Sequence, residues 1–221
     1  MYVILLGLPG AGKGTQAARL SETMGFAHIT TGELFRENIR RGTALGEQAR
    51  PYVEKGLLVP DEITVGMLLE RIAQPDCARG CLLDGYPRNL EQARALDEAL
   101  AREGKAIDRV AYIGVPTEEL VRRLAGRWTC RQCGAVYHET SRPAARAGVC
   151  DECGGGLYQR EDDRPDVVRT RLEVNLAQLE PLLAYYGDQG KLVEVDGQQE
   201  IDGVGRDLAA VLERSGSAEC P

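Results

Sequence analysis

The chain has 221 residues, 27 Lys and Arg against 34 Asp and Glu for a formal charge of −7, and 43% hydrophobic residues. These are the proportions of an ordinary globular protein. The acidic balance argues against a surface that tracks along nucleic acid or lies on anionic lipid, since both are held by basic charge, so any anion must be met locally.

Tyr2 to Leu6 is a short apolar run that stops at a glycine cluster, after which Gln16 to Leu20 reads as helix. The run is too short for a signal-peptide core. No other stretch reaches the roughly 18 apolar residues of a membrane span, so no membrane partner and a cytoplasmic location are expected. Thr31 to Val59 shows only helical pattern, punctuated by Gly42, Gly46, Pro51 and Gly56, as in a helical excursion between strands. Cys81–Leu83 before Asp84, Val110–Val115 before Pro116, and Leu192–Val195 are bounded like buried strands. Between them Ile63–Ile72, Leu90–Glu103, Thr117–Leu124, Val167–Tyr186 and Ile201–Leu212 read as helices. The alternation predicts an α/β fold, a parallel sheet flanked by helices. Gly126 to about Asp163 breaks it: rich in Cys, Gly, Arg and Pro, it reads as an inserted flap built on something other than a hydrophobic core.

Gly7-Leu8-Pro9-Gly10-Ala11-Gly12-Lys13-Gly14-Thr15 follows a strand and opens a helix, the context that the phosphate-loop pattern G-x-x-x-x-G-K requires. Its glycines let backbone N–H groups curl around a phosphate, the helix N-terminus adds partial positive charge, and Lys13 adds a full one. The pattern usually places Ser or Thr directly after the lysine as a magnesium ligand, whereas here Gly14 stands there and Thr15 follows. Asp84 ends an apolar strand, the place from which phosphate-loop proteins set a carboxylate near Mg²⁺, and Gly85-Tyr86-Pro87-Arg88 adds an arginine suited to a phosphate.

In the flap, Cys130-x₂-Cys133 and Cys150-x₂-Cys153 are separated by 16 residues, the spacing of a tetrahedral structural metal site, with two disulfides the less favoured alternative. The odd total of seven Cys also counts against a disulfide framework. Four thiolates leave no open coordination position, so the ion is expected to be structural. Zn²⁺ is the first choice, while Fe and Co also suit thiolates. His138 is a spare ligand candidate, expected to pack or hydrogen-bond instead.

With these motifs in place the sequence resembles the adenylate kinases with a long lid. The resemblance rests on Gly7 to Thr15, Thr30-Thr31-Gly32-Glu33-Leu34-Phe35-Arg36, Leu83 to Arg88, Leu124-Ala125-Gly126-Arg127, and Arg160-Glu161-Asp162-Asp163 leading to Arg171. It implies a phosphate-loop NTPase core over 1–29, 60–126 and 164–221, an NMP-binding insertion over 30–59 and a metal-bearing lid over 127–163. It implies AMP contacts from Thr31, Arg36, Leu57, Val59, Gly85, Arg88 and Gln92. ATP contacts would come from Gly10, Ala11, Gly12, Lys13, Gly14, Thr15, Arg123, Arg127, Val136, Tyr137 and, through its backbone, Gln199. Arg160 and Arg171 would reach the phosphates between them. Lys13, Asp84, Arg88, Arg123, Arg127, Arg160 and Arg171 would carry catalysis.

Bidentate, always-charged Arg suits the charge that spreads over a phosphoryl group in transfer. Arg123 and Arg127, four apart at a helix end, are expected to face one way. The expected activity is Mg²⁺-dependent conversion of ATP and AMP to two ADP by a monomer, with lid and NMP insertion closing to exclude water. The rivals are a kinase for UMP, CMP or GMP and a zinc-ribbon interaction module that uses nucleotide as a switch.

Overall fold

Residues 3–6 of the first strand are buried and apolar, which a strand covered on both faces of a parallel sheet requires. The structure, a computed structural model, describes residues 1–54, 59–159, 163 and 165–213. In chain order the first half comprises β1 (Tyr2–Leu6), α1 (Lys13–Met24), β2 (Ala27–Thr30), α2 (Thr31–Arg41), α3 (Ala44–Glu54), α4 (Asp61–Ile72), β3 (Cys81–Asp84) and α5 (Leu90–Arg102). Then follow β4 (Arg109–Gly114), α6 (Thr117–Ala125), β5 (Arg127–Cys130), β6 (Val136–His138), β7 (Leu157–Tyr158), α7 (Pro165–Asp188), β8 (Leu192–Asp196) and α8 (Ile201–Glu213). No helix among the described residues is long and apolar enough to cross a membrane.

Two compact units are present, Met1–Gly7, Gly12–Gly114 and Gln178–Pro221 in one, Leu8–Ala11 and Val115–Ala177 in the other. The first holds a five-stranded parallel sheet in the order β2-β3-β1-β4-β8. β1 has β3 on one side and β4 on the other, so the strand order reverses at β1, the place where open α/β sheets take ligands beyond the carboxyl ends of their strands. β2 is absent from the strands read from sequence. Among the described residues it pairs with β3 alone, at the sheet edge; it has four residues and keeps one of them buried, so the apolar run that marks an interior strand is missing.

The helical excursion is α2 followed by α3. The Thr30 hydroxyl accepts from the Glu33 N–H at 3.3 Å and caps α2, and Gly42 (φ 64°) ends it in the left-handed conformation. α3 then packs back on α2 at Gly46, where a Cβ would lie 2.3 Å from the Asn38 carbonyl oxygen.

The second unit carries a three-stranded antiparallel sheet, β6-β5-β7. Its buried centre is Cys130, Tyr137 and Cys150, with Trp128, Ala135, Ala144 and Leu157 packed around it. The flap thus has an apolar cluster, though a small one with cysteines in its middle.

Gly46→Ala should force α2 and α3 apart, because the obstacle is backbone and cannot rotate away; overpacking of this kind costs about 1–3 kcal/mol. Hydrogen exchange over 31–54 should accelerate while β1 and β3 keep their protection. Gly66→Ala meets only the Leu45 side chain, at 3.2 Å, and should be tolerated. Equal behaviour of the two variants would contradict the packing described.

Candidate active site and metal centre

The phosphate loop is shaped by glycine. Gly10 (φ 87°) and Gly12 (φ 93°) adopt left-handed backbone that side chains disfavour, and Gly12 is the N-cap of α1. Gly12 brings no side chain to cap that helix, and a helix N-terminus of this kind suits an anionic acceptor. Lys13 Nζ donates to the Gly7 carbonyl at 2.7 Å, which keeps the ammonium at the end of β1. Thr15 lies in the first turn of α1.

Asp84, at the end of β3, fits a role beside a hard cation. Its Oδ2 lies 3.6 Å from where a Cβ on Gly14 would stand, so the carboxylate faces the start of α1. A carboxylate with room for water and phosphate oxygens is the usual protein share of a Mg²⁺ site. Across from it His28 Nε2 approaches Asp84 Oδ2 to 3.4 Å without forming a hydrogen bond. His28 carried no motif in the sequence.

After Asp84 the chain turns at Gly85 (φ 88°) and passes a cis Tyr86–Pro87 peptide. Arg88 Nε donates to the Gly85 carbonyl at 2.9 Å, and the Thr31 hydroxyl lies 3.5 Å from the same oxygen. Gln92 is buried, with Oε1 accepting from the Arg88 N–H at 2.7 Å and Nε2 donating to Asp61 at 2.9 Å. Thr31, Gly85, Arg88 and Gln92 therefore form one hydrogen-bonded group. Arg36 is exposed on α2 with its guanidinium folded toward Gly32, and Val59 is buried. Leu57 and Arg160 lie outside the described residues. Gln199 is exposed before α8, its Nε2 donating to the Asp196 carbonyl at 3.2 Å and to Asp207 at 2.7 Å.

In the second unit Gly10 sits against Leu124, whose Cγ would be 3.1 Å from an added Cβ, and Ala11 is buried. Arg123 and Arg127 do not share a helix face. α6 stops at Ala125 with Gly126 as its C-cap, where the His138 ring would lie 2.6 Å from an added Cβ, and Arg127 already belongs to β5. Each arginine has its own carboxylate. Arg123 Nε donates to Glu119 at 2.8 Å, while Arg127 grips Asp163 with Nε at 2.7 Å and an Nη at 2.5 Å. Arg171, from α7, donates to the same Asp163 carboxylate at 3.1 Å, and that side chain is 1% exposed. Val136 is exposed, whereas Tyr137 is buried with its hydroxyl 3.4 Å from Cys150 Sγ and accepting from the Asp151 N–H at 2.8 Å.

The four cysteine sulfurs lie within 4.8 Å of one another, with Cys130–Cys153 and Cys133–Cys150 both at 3.5 Å. That is too long for a disulfide, about 2.05 Å. It is close to the edge of a tetrahedron with metal–sulfur bonds of about 2.3 Å, roughly 3.8 Å. The thiols share the charge unequally. The Tyr137 hydroxyl holds the Cys150 thiol down at about 6, and the Cys133 N–H lowers Cys130. Cys133 rises to about 12, although the Ala135 N–H opposes this, through its sulfur neighbours and burial. Four thiolates this close need a cation among them, and the donor set fits a thiophilic divalent ion. His138 is outside the cluster, with its Nδ1 taking the N–H groups of Thr140 and Ser141 at 3.2 and 3.3 Å.

Residues 5–191 match the family described as adenylate kinase. Proteins named adenylate kinase from Lysinibacillus sphaericus and Archaeoglobus fulgidus are 52% and 50% identical over 217 and 214 residues, covering 98% and 97% of this chain and 100% and 99% of their own lengths. A third so named, from a Geobacillus strain, is 50% identical over 212 residues, 96% of this chain and 98% of its own. This chain belongs to the adenylate kinase family.

Within an adenylate kinase fold, Asp163 is the residue whose role the sequence concealed. It stands in the quoted Arg160–Asp163 motif, yet its partners are 36 residues before it and 8 after. One buried carboxylate fixes both guanidinium groups, so their charges are assembled by the fold itself. Asp163→Asn keeps the shape and removes the charge. Phosphotransfer should fall on the order of a hundredfold through misplaced arginines. A variant with normal kcat and only a lower melting temperature would limit Asp163 to holding the fold.

Proposed function

We propose that the protein catalyses reversible transfer of the γ-phosphoryl group of ATP to AMP, giving two ADP. The observation that carries this is the match to the adenylate kinase family along nearly the whole chain, with the phosphate loop Gly7–Thr15 opening α1 as that chemistry needs. In this reading Gly10 to Thr15 supply backbone N–H groups to the ATP phosphates, and Lys13 exchanges its bond to Gly7 for a phosphate oxygen. Arg123 and Arg127, with Val136, Tyr137 and the Gln199 backbone, complete the ATP contacts. Thr31, Arg36, Leu57, Val59, Gly85, Arg88 and Gln92 take AMP, and Arg160 and Arg171 reach the phosphates between the two nucleotides.

No residue is needed as general base, because the acceptor phosphate oxygen is already anionic at neutral pH. The residues position two nucleotides, meet the charge of the transferring group and keep water away. Mg²⁺, with Asp84 on its coordination side, would neutralise charge between the ATP phosphates. Closure of a lid over 127–163 and an NMP arm over 30–59 would shut out the competing nucleophile. We assign the cysteine cluster to Zn²⁺ and the protein to the cytoplasm as a monomer.

Gln92 and Thr31 favour AMP over other acceptors in this reading. AMP should exceed UMP, CMP and GMP by well over tenfold in kcat/KM, since an unpaired buried polar edge costs about 1–3 kcal/mol. Comparable use of a pyrimidine monophosphate would sink the acceptor assignment.

Metal removal tests the lid. Elemental analysis should find one thiophilic ion per chain. Chelation under reducing conditions should melt residues 127–159 first and leave the parallel sheet folded, because binding energy there is folding energy. At fixed free metal, occupancy should fall as pH falls, since protons compete for the thiolates. An identical melting profile with and without metal would contradict the assignment.

A further inference from the structure

Gln16 lies one turn into α1, three residues past Lys13, and is 3% exposed. Its neighbours on that face, Ala17 and Leu20, are apolar, so an apolar residue would pack there without the cost of burying an amide. The amide reaches instead across to α8, where Nε2 donates to the Ile201 carbonyl at 2.9 Å. Its orientation follows from that contact, because the opposite flip would set oxygen against oxygen. Oε1 turns toward Gly205, where a Cβ would come within 3.1 Å. A glycine at that point lets the amide sit against α8, and one turn along α1 Arg19 pairs with Asp202.

Immediately before α8 is the turn that contains Gln199. The Gly197 N–H is tied to the Gly114 carbonyl at 2.8 Å and the Gln198 N–H to Asp196 at 2.9 Å. The Gln199 side chain is spent on Asp196 and Asp207, which leaves its backbone as the group available to a base. The Gly197 bond anchors the turn to β4, the Gln199–Asp207 bond couples it to α8, and α8 is held to α1 by Gln16 together with the Arg19–Asp202 pair.

We infer that Gln16 is a positioning residue that sets the span between the phosphate loop and the turn at Gln199, so that the two ends of one nucleotide are read at a fixed distance. The inference rests on the proposed placement of the ATP base at Gln199. Nothing in it requires Gln16 to touch substrate.

Gln16→Met keeps length and packing. It should fold, because the Ile201 carbonyl, at the start of α8, still has the helix's own N–H partner and no buried donor is left alone. Binding of ATP and of inorganic triphosphate is measured by calorimetry on the metal-loaded full chain. The wild type should bind ATP more tightly than triphosphate. Gln16→Met should lose about three- to tenfold for ATP, the range expected from one buried hydrogen bond, while its triphosphate affinity and KM for AMP stay at wild-type values. Gly205→Ala, which crowds Oε1 from the other side, should show the same selective loss and serves if Gln16→Met melts early. Equal losses for ATP and triphosphate, or a ratio of ATP to triphosphate affinity unchanged from wild type in both variants, would overturn the inference. A wild type that binds triphosphate as tightly as ATP would instead remove the base from Gln199 and with it the reading on which the inference stands.

Discussion

Polyphosphate repels itself and everything acidic, and a chain of formal charge −7 that handles two nucleotides has to concentrate positive charge at a few points. Most of the site can be understood from that constraint. Lys13 rests on the Gly7 carbonyl, Arg88 on the Gly85 carbonyl, Arg123 on Glu119, and Arg127 with Arg171 on Asp163. Each of these cations rests on a protein oxygen, and in the second unit Arg127 and Arg171 share the Asp163 carboxylate, which offsets the repulsion between them. The conformational entropy of ordering these side chains is thus already spent in the folded protein.

The same constraint explains the form of the flap. A segment that presents arginines and stays polar cannot also bury a large apolar face. Its cluster around Tyr137 is small, and the cysteines at its centre make metal coordination the natural replacement for a larger core. The Tyr137 hydroxyl, bonded both to Cys150 and to the Asp151 N–H, ties that cluster to the loop that carries the second cysteine pair. A side chain that the family resemblance associates with ATP is thus also part of the lid's interior.

Legibility in the sequence followed the range of the interactions. The strand, glycine loop and helix at the start depend on neighbours along the chain, and the C-x₂-C pairs carry their chemistry in their spacing, so both were readable. β2 was not, because an edge strand with His28 and Thr30 exposed in part shows no apolar run. The expectation that Arg123 and Arg127 face one way assumed a helix running through both, whereas α6 ends at Ala125 and Arg127 opens β5, with His138 of β6 packed on Gly126 between them. Asp163 and Gln16 find their partners 36 and 185 residues away. Pairings of that kind leave no periodicity and no motif spacing, and they appear only when the fold closes.

The protein moves a phosphoryl group between nucleotides, and the site as proposed denies that group to water. Phosphorus NMR of the protein with Mg²⁺, ATP and AMP tests this directly, started once from ATP plus AMP and once from ADP alone. Both mixtures should converge on the same proportions of ATP, ADP and AMP, and ATP incubated without AMP should release inorganic phosphate at a rate lower by orders of magnitude. Steady phosphate release from ATP alone, at a rate comparable to transfer, would contradict it.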